Sequence, residues 1–518
     1  MRLSHIVLLL GLTLLLYFPT LRYEFVYDDY IAIVNNPHVT GEAGSWWEVF
    51  RTKYAPGSLY RPITTLSYRV NAAVFGLSAA AFHAVNTALH CIAVLLIYLL
   101  LLPVLGRAVL AMSAALLFAL HPLNIEAVAN TVGRAELLTL LFGAGAAWSF
   151  NQGIRNSDTR RSYTMFACSA FLYFCACLSK ETGYTFLGLI PLYVLATRTQ
   201  IRLPKLCIRS AMVLVPVVLL ALGLRYLVLG DRLALNPSPD YYVPANPLFG
   251  EPFTNRLLPA LQILGRYLAL SILPYPLSSD YSLPAEEFWS SVYSPASMSY
   301  LIVLAAFVCA LLLSRKRNTT TMGVWFFVAF GLTSNLLLPI GTIMGERLAY
   351  IPLVGFLGYI VAEAAYEFDR RQVAQRVQLY VLVAVCLVFT LTSSMRMSVW
   401  QSNHALFSQT VRDAPQSPVA AFNYGLHLYK DKQDISRAQT YFRRSYELFP
   451  NSTLPIRMLV ATSLKQREFG RAEFWLRKLL TLDPKDQGAA TQLDKLLQLK
   501  SRAQKLGDDV RYSFDAGQ

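Results

Sequence analysis

Two adjacent carboxylates follow the first apolar segment of the chain. They are Asp28 and Asp29, and they lie between aromatic side chains in the run Glu24–Tyr30. A carboxylate at a membrane interface can act as a general base that takes the proton of an incoming hydroxyl or amine. The alternative is a solvated turn or a helix N-cap, and an Asp-Asp pair alone favours that alternative.

Other polar side chains recur in turns and at helix ends between apolar segments. In chain order they are Arg61, His83, Asn86, His90, His121, Glu126, Asn130, Arg134, Lys180, Glu181, Glu346 and Arg347. Helical spacing places His83, Asn86 and His90 on one face of a single helix. Because ionisable groups at membrane depth are costly, they indicate function. Together they predict one polar cavity at the outer end of an apolar bundle.

The cations of this set suit a phosphate, since arginine offers a planar fork of donors and lysine a compact charge. The chain has no Walker loop, no G-x-G-x-x-G after a strand and no D-x-D pair. A soluble nucleotide is therefore not expected, and a lipid phosphate fits better. A metal site made of His121, Glu126 and His83 or His90 stays a minor alternative, because the H-E-x-x-H spacing is absent.

Composition identifies the setting of these residues. Of 518 residues, 55% are hydrophobic and 15% are charged, and the mean hydropathy is +0.40. In soluble globular domains about a quarter of all residues are charged. The much lower charged fraction of this chain excludes a soluble globular enzyme. The formal net charge of +15 lies mostly in short loops and in the carboxyl-terminal tail, so it indicates membrane topology and not a nucleic-acid partner.

Apolar runs close to the ~20 residues that cross a bilayer define the membrane spans. Ten are clear: Leu3–Thr20, Ala79–Leu102, Thr131–Ser149, Tyr163–Leu178, Thr182–Ala196, Ile208–Val228, Met298–Leu313, Thr321–Pro339, Leu348–Ala365 and Leu379–Thr392. Ala108–Leu120 is short, and Leu257–Leu273 carries Arg266 at its centre. If all Lys/Arg clusters between the spans are cytoplasmic, the first of these two crosses and the second does not.

The prediction is therefore an all-α polytopic membrane protein of about 11 transmembrane helices, with the polar motifs and the tail on the outer side. Leu257–Leu273 then lies along the outer interface, where Arg266 reaches headgroups or a bound anion. The alternative, in which this segment crosses and another does not, stays open.

The tail after Met397 carries a helical repeat. Ala438 and Ala472 are 34 residues apart, as are Pro450 and Pro484, and this is the tetratricopeptide (TPR) period. The domains are predicted as 1–396 for the transmembrane part and 397–518 for the TPR-like part. Two repeats with capping helices form either a shallow groove for an extended peptide or a structural cap.

Several of these runs resemble, in order, the transmembrane and TPR repeat-containing O-mannosyltransferases. The runs are Phe25–Asp29, Tyr60–Thr64, Phe82–Asn86, Phe118–Val128, Gly133–Glu136, Leu178–Glu181 and Glu346–Tyr350. The resemblance implies the GT-C membrane glycosyltransferase fold and a polyprenyl- or dolichyl-phosphate-linked sugar as donor. It implies no cofactor and no metal, because the lipid-linked sugar is itself a substrate.

The resemblance also implies roles for individual residues. The catalytic carboxylates would be Asp28 and Asp29. The donor phosphate would be bound by Arg61, Arg134, Lys180, Arg347 and Arg266. The sugar or acceptor pocket would be lined by His83, Asn86, His121, Glu126, Glu181 and Glu346.

The expected activity is inverting transfer of mannose or another hexose to a Ser/Thr hydroxyl of a translocated protein. The TPR groove is a candidate docking site for that acceptor protein. The alternatives are a lipid or glycan acceptor of the cell envelope, and a non-catalytic TPR scaffold. The tail holds about two repeats, fewer than in eukaryotic relatives, which argues against extended recognition of a protein substrate. The absence of cysteines from the outer loops and the compact length favour a bacterial inner-membrane enzyme that faces the periplasm.

Overall fold

Long uncharged runs form helices because a helix satisfies its own backbone hydrogen bonds where water is absent. The computed structural model describes residues 2–54, 59–198, 201–230, 245–314 and 316–505. No β-strand occurs in these residues, and the prediction of an all-α polytopic membrane protein is confirmed. The longer helices before the tail are α1 (Leu3–Tyr17), α2 (Pro62–Phe75), α3 (Ala79–Leu105), α4 (Ala108–Leu120), α5 (Arg134–Arg155), α6 (Thr159–Ser179), α7 (Phe186–Thr197), α8 (Leu203–Leu229), α9 (Phe253–Ile272), α10 (Pro295–Leu313), α11 (Arg317–Phe330), α12 (Pro352–Arg370) and α13 (Gln375–Ser398).

Six helices of the described residues are long and apolar enough to cross a membrane: Leu3–Arg22, Ala79–Leu105, Thr159–Ser179, Leu203–Leu229, Pro295–Leu313 and Gln375–Ser398. A seventh candidate is α4 together with the short helix after it, Pro122–Ala129, at a bend of 55°. Helices α7 and α11 have 12 and 14 residues, fewer than a simple crossing needs. The total of about eleven crossings stays a prediction, as does the placement of α9 outside the set of crossings.

One predicted span differs from the helix that forms. The sequence predicts a single crossing over Thr321–Pro339, but α11 ends at Phe330 and residues 331–345 are non-helical. Non-helical backbone at membrane depth is tolerated where it is buried in protein or lines a cavity. The side chain of Asn246 donates to the Ile340 carbonyl at 2.6 Å, and that of Asn335 to the Ile343 carbonyl at 3.0 Å. These amides satisfy two backbone carbonyls of the non-helical segment.

Basic clusters that the sequence places on one side of the membrane meet in space. Arg107, after α3, forms an ion pair of 2.9 Å with Asp369 near the end of α12. The Asn318 amide, beside the cluster that includes Lys316, donates to the Val104 carbonyl at 2.8 Å. Three separate basic loops therefore share one face of the bundle, as one cytoplasmic side requires.

The tail forms six helices in the described residues: α14 (Asn403–Asp413), α15 (Pro418–Lys430), α16 (Ile435–Leu448), α17 (Thr453–Lys465), α18 (Phe469–Leu482) and α19 (Gln487–Lys505). Helices α15 and α16 pack as one pair, and α17 and α18 as the next. A Cβ added at Gly425 would lie 2.9 Å from the Phe442 ring, so glycine permits the close approach of the first pair. The boundary at 396/397 stays a prediction.

Candidate active site

A cavity of about 350 Å³ lies where the predicted polar motifs converge. Six of the predicted site residues line it: Asp28, Arg61, Glu126, Lys180, Glu181 and Arg347. They come from the loop between α1 and α2, the start of α2, the helix after α4, the turn between α6 and α7, and the short helix before α12. The structure therefore brings together residues up to 319 positions apart (28 to 347).

The two adjacent aspartates have different surroundings. Asp28 is half-buried, lines the cavity and makes no hydrogen bond with any described residue. Asp29 is fully buried: its Oδ2 accepts the Val26 N–H and its Oδ1 accepts the Val132 N–H, both at 3.0 Å. Asp29 thus fastens its own loop to the turn before α5, and Asp28 is the carboxylate that a ligand of the cavity can reach.

Burial governs the protonation of both aspartates. It raises the pKa of Asp28 above its usual value, although Arg347 and Arg61 oppose the shift and Glu126 adds to it. Burial also raises the pKa of Asp29 to about 7, against the two backbone N–H donors. A base with a raised pKa takes up a proton more readily than an exposed aspartate.

Arg61 and Glu181 form a short ion pair at the cavity wall. The Arg61 Nε and Nη2 donate to Glu181 Oε2 at 3.0 and 2.6 Å, and Arg225 Nη1 donates to Oε1 at 3.0 Å. Burial alone would raise the pKa of Glu181, but the two guanidinium groups lower it to about 2. Glu181 is therefore ionised at neutral pH and holds Arg61 in place.

The other two cations of the cavity are held in the same way. The Lys180 ammonium bonds to Glu136, whose other oxygen accepts the Thr182 hydroxyl at 3.3 Å. The backbone N–H and Nη1 of Arg347 both donate to the Glu126 carboxylate, at 3.0 and 2.9 Å. Each carboxylate fixes a direction for its cation, so the three positive groups are positioned before any ligand binds.

Arg134, Asn86 and His83 lie outside this cavity. The Arg134 guanidinium is fully buried and donates to Asn86 Oδ1 at 2.7 Å, to Asn71 Oδ1 at 2.9 Å and to the Phe82 carbonyl at 3.0 Å. His83 is buried with its Nε2 3.4 Å from the Glu24 carbonyl. Arg134 and Asn86 join α2, α3 and the start of α5, so the structure does not bring these three residues to the cavity.

His121, Glu346 and Arg266 are also absent from the cavity wall. His121 lies in the bend after α4, where Nε2 is 3.1 Å from the Ser271 carbonyl and Nδ1 accepts the Leu123 N–H. Glu346 is fully buried, and Arg396 Nε donates to it at 3.0 Å. Burial raises the pKa of Glu346 to about 7 against that arginine.

Arg266 stacks its guanidinium 4.7 Å from the centre of the Tyr281 ring. The Tyr281 hydroxyl in turn donates to Glu346 at 3.1 Å. Arg266 is therefore connected through Tyr281 to Glu346 and Arg396, and none of these residues lines the cavity.

The residue pattern did not identify three groups that the structure places at or next to the cavity. Glu136 and Arg225 pair with Lys180 and Glu181, and Asp280 lines the wall. Arg225 had a signal: it is a charged residue near the end of the predicted span Ile208–Val228, where charge is costly. Glu136 lies in the run Gly133–Glu136, but its partner cannot be read from spacing.

An uncharged wall completes the cavity. It comes from the non-helical segment 331–345 and includes the apolar Leu332, Ile340 and Met344 together with Thr333 and Thr342. In the same segment Leu337 and Leu338 are 61% and 57% exposed, on the surface of a chain that spans a membrane. One segment of the chain therefore both lines the cavity and exposes apolar side chains on the protein surface.

No protein-family model matches the chain. The chain is 26% identical over 476 residues to the protein O-mannosyl-transferase TMTC3 of Mus musculus, covering 86% of this chain and 51% of that protein. It is 28% identical over 484 residues to TMTC1 of Homo sapiens, covering 86% and 55%. It is 26% identical over 443 residues to the protein O-mannosyl-transferase F38B6.6 of Caenorhabditis elegans, covering 81% and 59%.

The chain spans about half the length of these curated relatives. The identities of 24–28% extend over most of the chain, and the resemblance that the sequence motifs indicated is confirmed. The chain is thus similar, over most of its own length, to the TMTC protein O-mannosyl-transferases.

Proposed function

We propose that the protein is a membrane glycosyltransferase that moves a hexose, mannose in the first instance, from a polyprenyl-phosphate carrier to a Ser/Thr hydroxyl of a protein. The relatives are named protein O-mannosyl-transferases, and the coarse assignment to this class rests on them. The observation that carries the finer proposal is the cavity itself, in which the unpaired Asp28 shares a wall with three positioned cations.

Asp28 acts as the general base in this scheme. Its carboxylate takes the proton of the acceptor hydroxyl, and the oxygen attacks the anomeric carbon of the sugar. The bond from that carbon to the phosphate oxygen breaks, and the polyprenyl phosphate leaves with the electron pair. Attack from the face opposite the leaving group inverts the anomeric configuration. No metal is needed, because the leaving phosphate is stabilised by cations.

Arg61, Lys180 and Arg347 stabilise the phosphate as its negative charge grows. Charge-assisted hydrogen bonds to such groups are stronger than neutral ones, and donors fixed in advance need no reorganisation during the reaction. Removing one such donor typically costs about 10²–10³-fold in rate.

The uncharged segment 331–345 supports a donor that is carried on a lipid. Its uncharged wall lies beside the polar groups of the cavity, and Leu337 and Leu338 extend the apolar surface outward. A polyprenyl chain can lie against this surface while its phosphate reaches the cations. A water-soluble donor would have no use for such a wall.

A defined transfer assay tests the proposal. The purified full chain in lipid nanodiscs is given polyprenyl-phosphate-mannose and a Ser/Thr-containing peptide, with and without a metal chelator. We expect mannosyl peptide of inverted configuration by NMR, equal rates with chelator, and loss of transfer in Asp28→Asn. Transfer only to lipid or glycan acceptors would contradict a protein acceptor, and full activity of Asp28→Asn would contradict the role of the base.

A further inference from the structure

The tail supplies one wall of the cavity. Helix α14 and the residues before it contribute Trp400, Phe407 and Thr410, and α15 contributes Val419 and Asn423. The charged groups described above come from the transmembrane part. Both the transmembrane part and the tail thus close the cavity.

Hydrogen bonds fasten the tail to the loop that carries Asp28. The Tyr27 N–H donates to Asn403 Oδ1 at 2.9 Å, and the Tyr27 ring meets Phe407 edge-on at 5.6 Å between centres. Tyr27 has a φ of +50°, in the left-handed region that costs energy for a residue with a side chain. Because Asn403 binds the amide next to Asp28, the tail positions the proposed base.

A second loop of the cavity wall is fastened to the tail as well. The Ser417 hydroxyl donates to Asp280 Oδ2 at 2.5 Å, and the hydroxyls of Ser279 and Thr410 are 3.0 Å apart. The tail therefore contacts both sides of the cavity, and its side chains keep a fixed place relative to Asp28.

Asn423 is a polar group on this wall that the described residues leave without a hydrogen bond. It is half-buried on α15, lines the cavity and makes no hydrogen bond with any described residue. A carboxamide has both a donor and an acceptor, and so does a peptide group. Its neighbours on the wall, Phe407 and Val419, are apolar. The Thr410 hydroxyl on the same wall already donates to the Leu406 carbonyl at 2.6 Å. Asn423 therefore presents the carboxamide of the tail wall to a ligand, and a carboxamide pairs with both polar groups of a peptide unit.

We propose that Asn423 binds the backbone of the acceptor polypeptide, which lies between the tail and the transmembrane helices with its hydroxyl directed to Asp28. This inference rests on the proposed function and adds to it the place of the acceptor. The tail then takes part in the reaction through α14 and α15, beside the catalytic cavity, whatever its repeats bind elsewhere.

Steady-state kinetics with the full chain test this inference. The probes are polyprenyl-phosphate-mannose and one Ser/Thr-containing peptide, and the variants are Asn423→Ala, Asn403→Ala and the control Asn451→Ala, an exposed tail asparagine outside the cavity. Loss of one hydrogen bond of about 1.4 kcal/mol raises the peptide KM of Asn423→Ala roughly tenfold, with kcat and the donor Kd unchanged. Asn403→Ala lowers kcat with little change in the peptide KM, because it acts through Asp28.

The outcomes separate the inference from the function on which it rests. If the wild-type chain transfers mannose to the peptide but Asn423→Ala keeps the wild-type peptide KM, the inference is overturned and the proposed function stands. A rise in the donor Kd of Asn423→Ala that matches the rise in the peptide KM would show a general structural role and would also overturn it. If the wild-type chain transfers to no peptide, both fail.

Discussion

At the scale of single residues, the neighbours Asp28 and Asp29 differ in what their carboxylates contact. Both oxygens of Asp29 accept backbone N–H groups, whereas Asp28 faces the cavity with no partner among the described residues. From the sequence alone, either carboxylate could be the general base. Their burial and their hydrogen bonds distinguish the proposed base from the group that shapes its loop.

Substitution by asparagine should separate these purposes. In Asp29→Asn an amide NH₂ replaces one of the two acceptors and leaves a buried N–H unpaired, which costs about 1–3 kcal/mol. We expect a lower unfolding temperature in nanodiscs for Asp29→Asn, and a wild-type unfolding temperature with no transfer for Asp28→Asn. Equal stability of the two variants would contradict the assignment.

The pH dependence of transfer should report the pKa of Asp28. Burial raises that pKa, so kcat/KM should fall on acidification at a higher pH than for an exposed aspartate. Arg347 lowers the same pKa, and Arg347→Gln should therefore shift the acid limb further toward neutral pH. The midpoint of the acid limb of kcat/KM reports this pKa, and it can be measured even in a variant whose maximal rate is low. A shift toward acid in this variant would refute the proximity of the two charges.

At the scale of elements, the turn between α6 and α7 sets the positions of Lys180 and Glu181. A Cβ added at Gly183 would lie 2.3 Å from the Ala176 carbonyl oxygen in the last turns of α6. Backbone cannot yield as a flexible side chain can, so the turn depends on glycine at this position.

Gly183→Ala should therefore displace the turn and weaken the three ion pairs that Lys180 and Glu181 make. Their partners are Glu136, Arg61 and Arg225. We expect transfer to fall at least tenfold, the size of effect that a misplaced charge can have, with a lower unfolding temperature. Gly223→Ala in α8 is the matched control, because nothing lies within 4 Å of the added Cβ and alanine favours a helix. Equal loss in both variants would argue against a specific role of the turn.

At the scale of the whole molecule, the contact between the Asp28 loop and the tail constrains the number of crossings. The loop follows α1 and the tail follows α13, and the Tyr27–Asn403 hydrogen bond places both on one side. The number of crossings between them must then be even. The six candidate helices of the described residues include five after α1. If all five cross, at least one further crossing is required. The bent pair that begins with α4 provides one, and the eleven crossings predicted from the sequence also satisfy the condition.

The orientation predicted from the basic loops can be measured. Single cysteines placed in the tail at Asn451 and in the loop at Asp158 are labelled with a membrane-impermeant thiol reagent on intact cells, in a background without the seven native cysteines. We expect labelling of the tail position only. Labelling at Asp158 alone would reverse the topology, and labelling at both would contradict the separation of the two faces.

The sequence by itself determined that the chain is an all-helical membrane protein and that its polar residues gather between the apolar segments. These properties follow from hydropathy and helical spacing, which are local. It also identified the cavity residues Asp28, Arg61, Glu126, Lys180, Glu181 and Arg347 within its longer set of site residues. Only the tertiary structure separated these from Arg134, His83 and His121, and only it placed Asn423 of the tail beside them. The reason is that the hydrogen-bond and ion-pair partners of a buried charge decide what that charge can do. Those partners come from distant parts of the chain, and tertiary packing, not sequence spacing, brings them together.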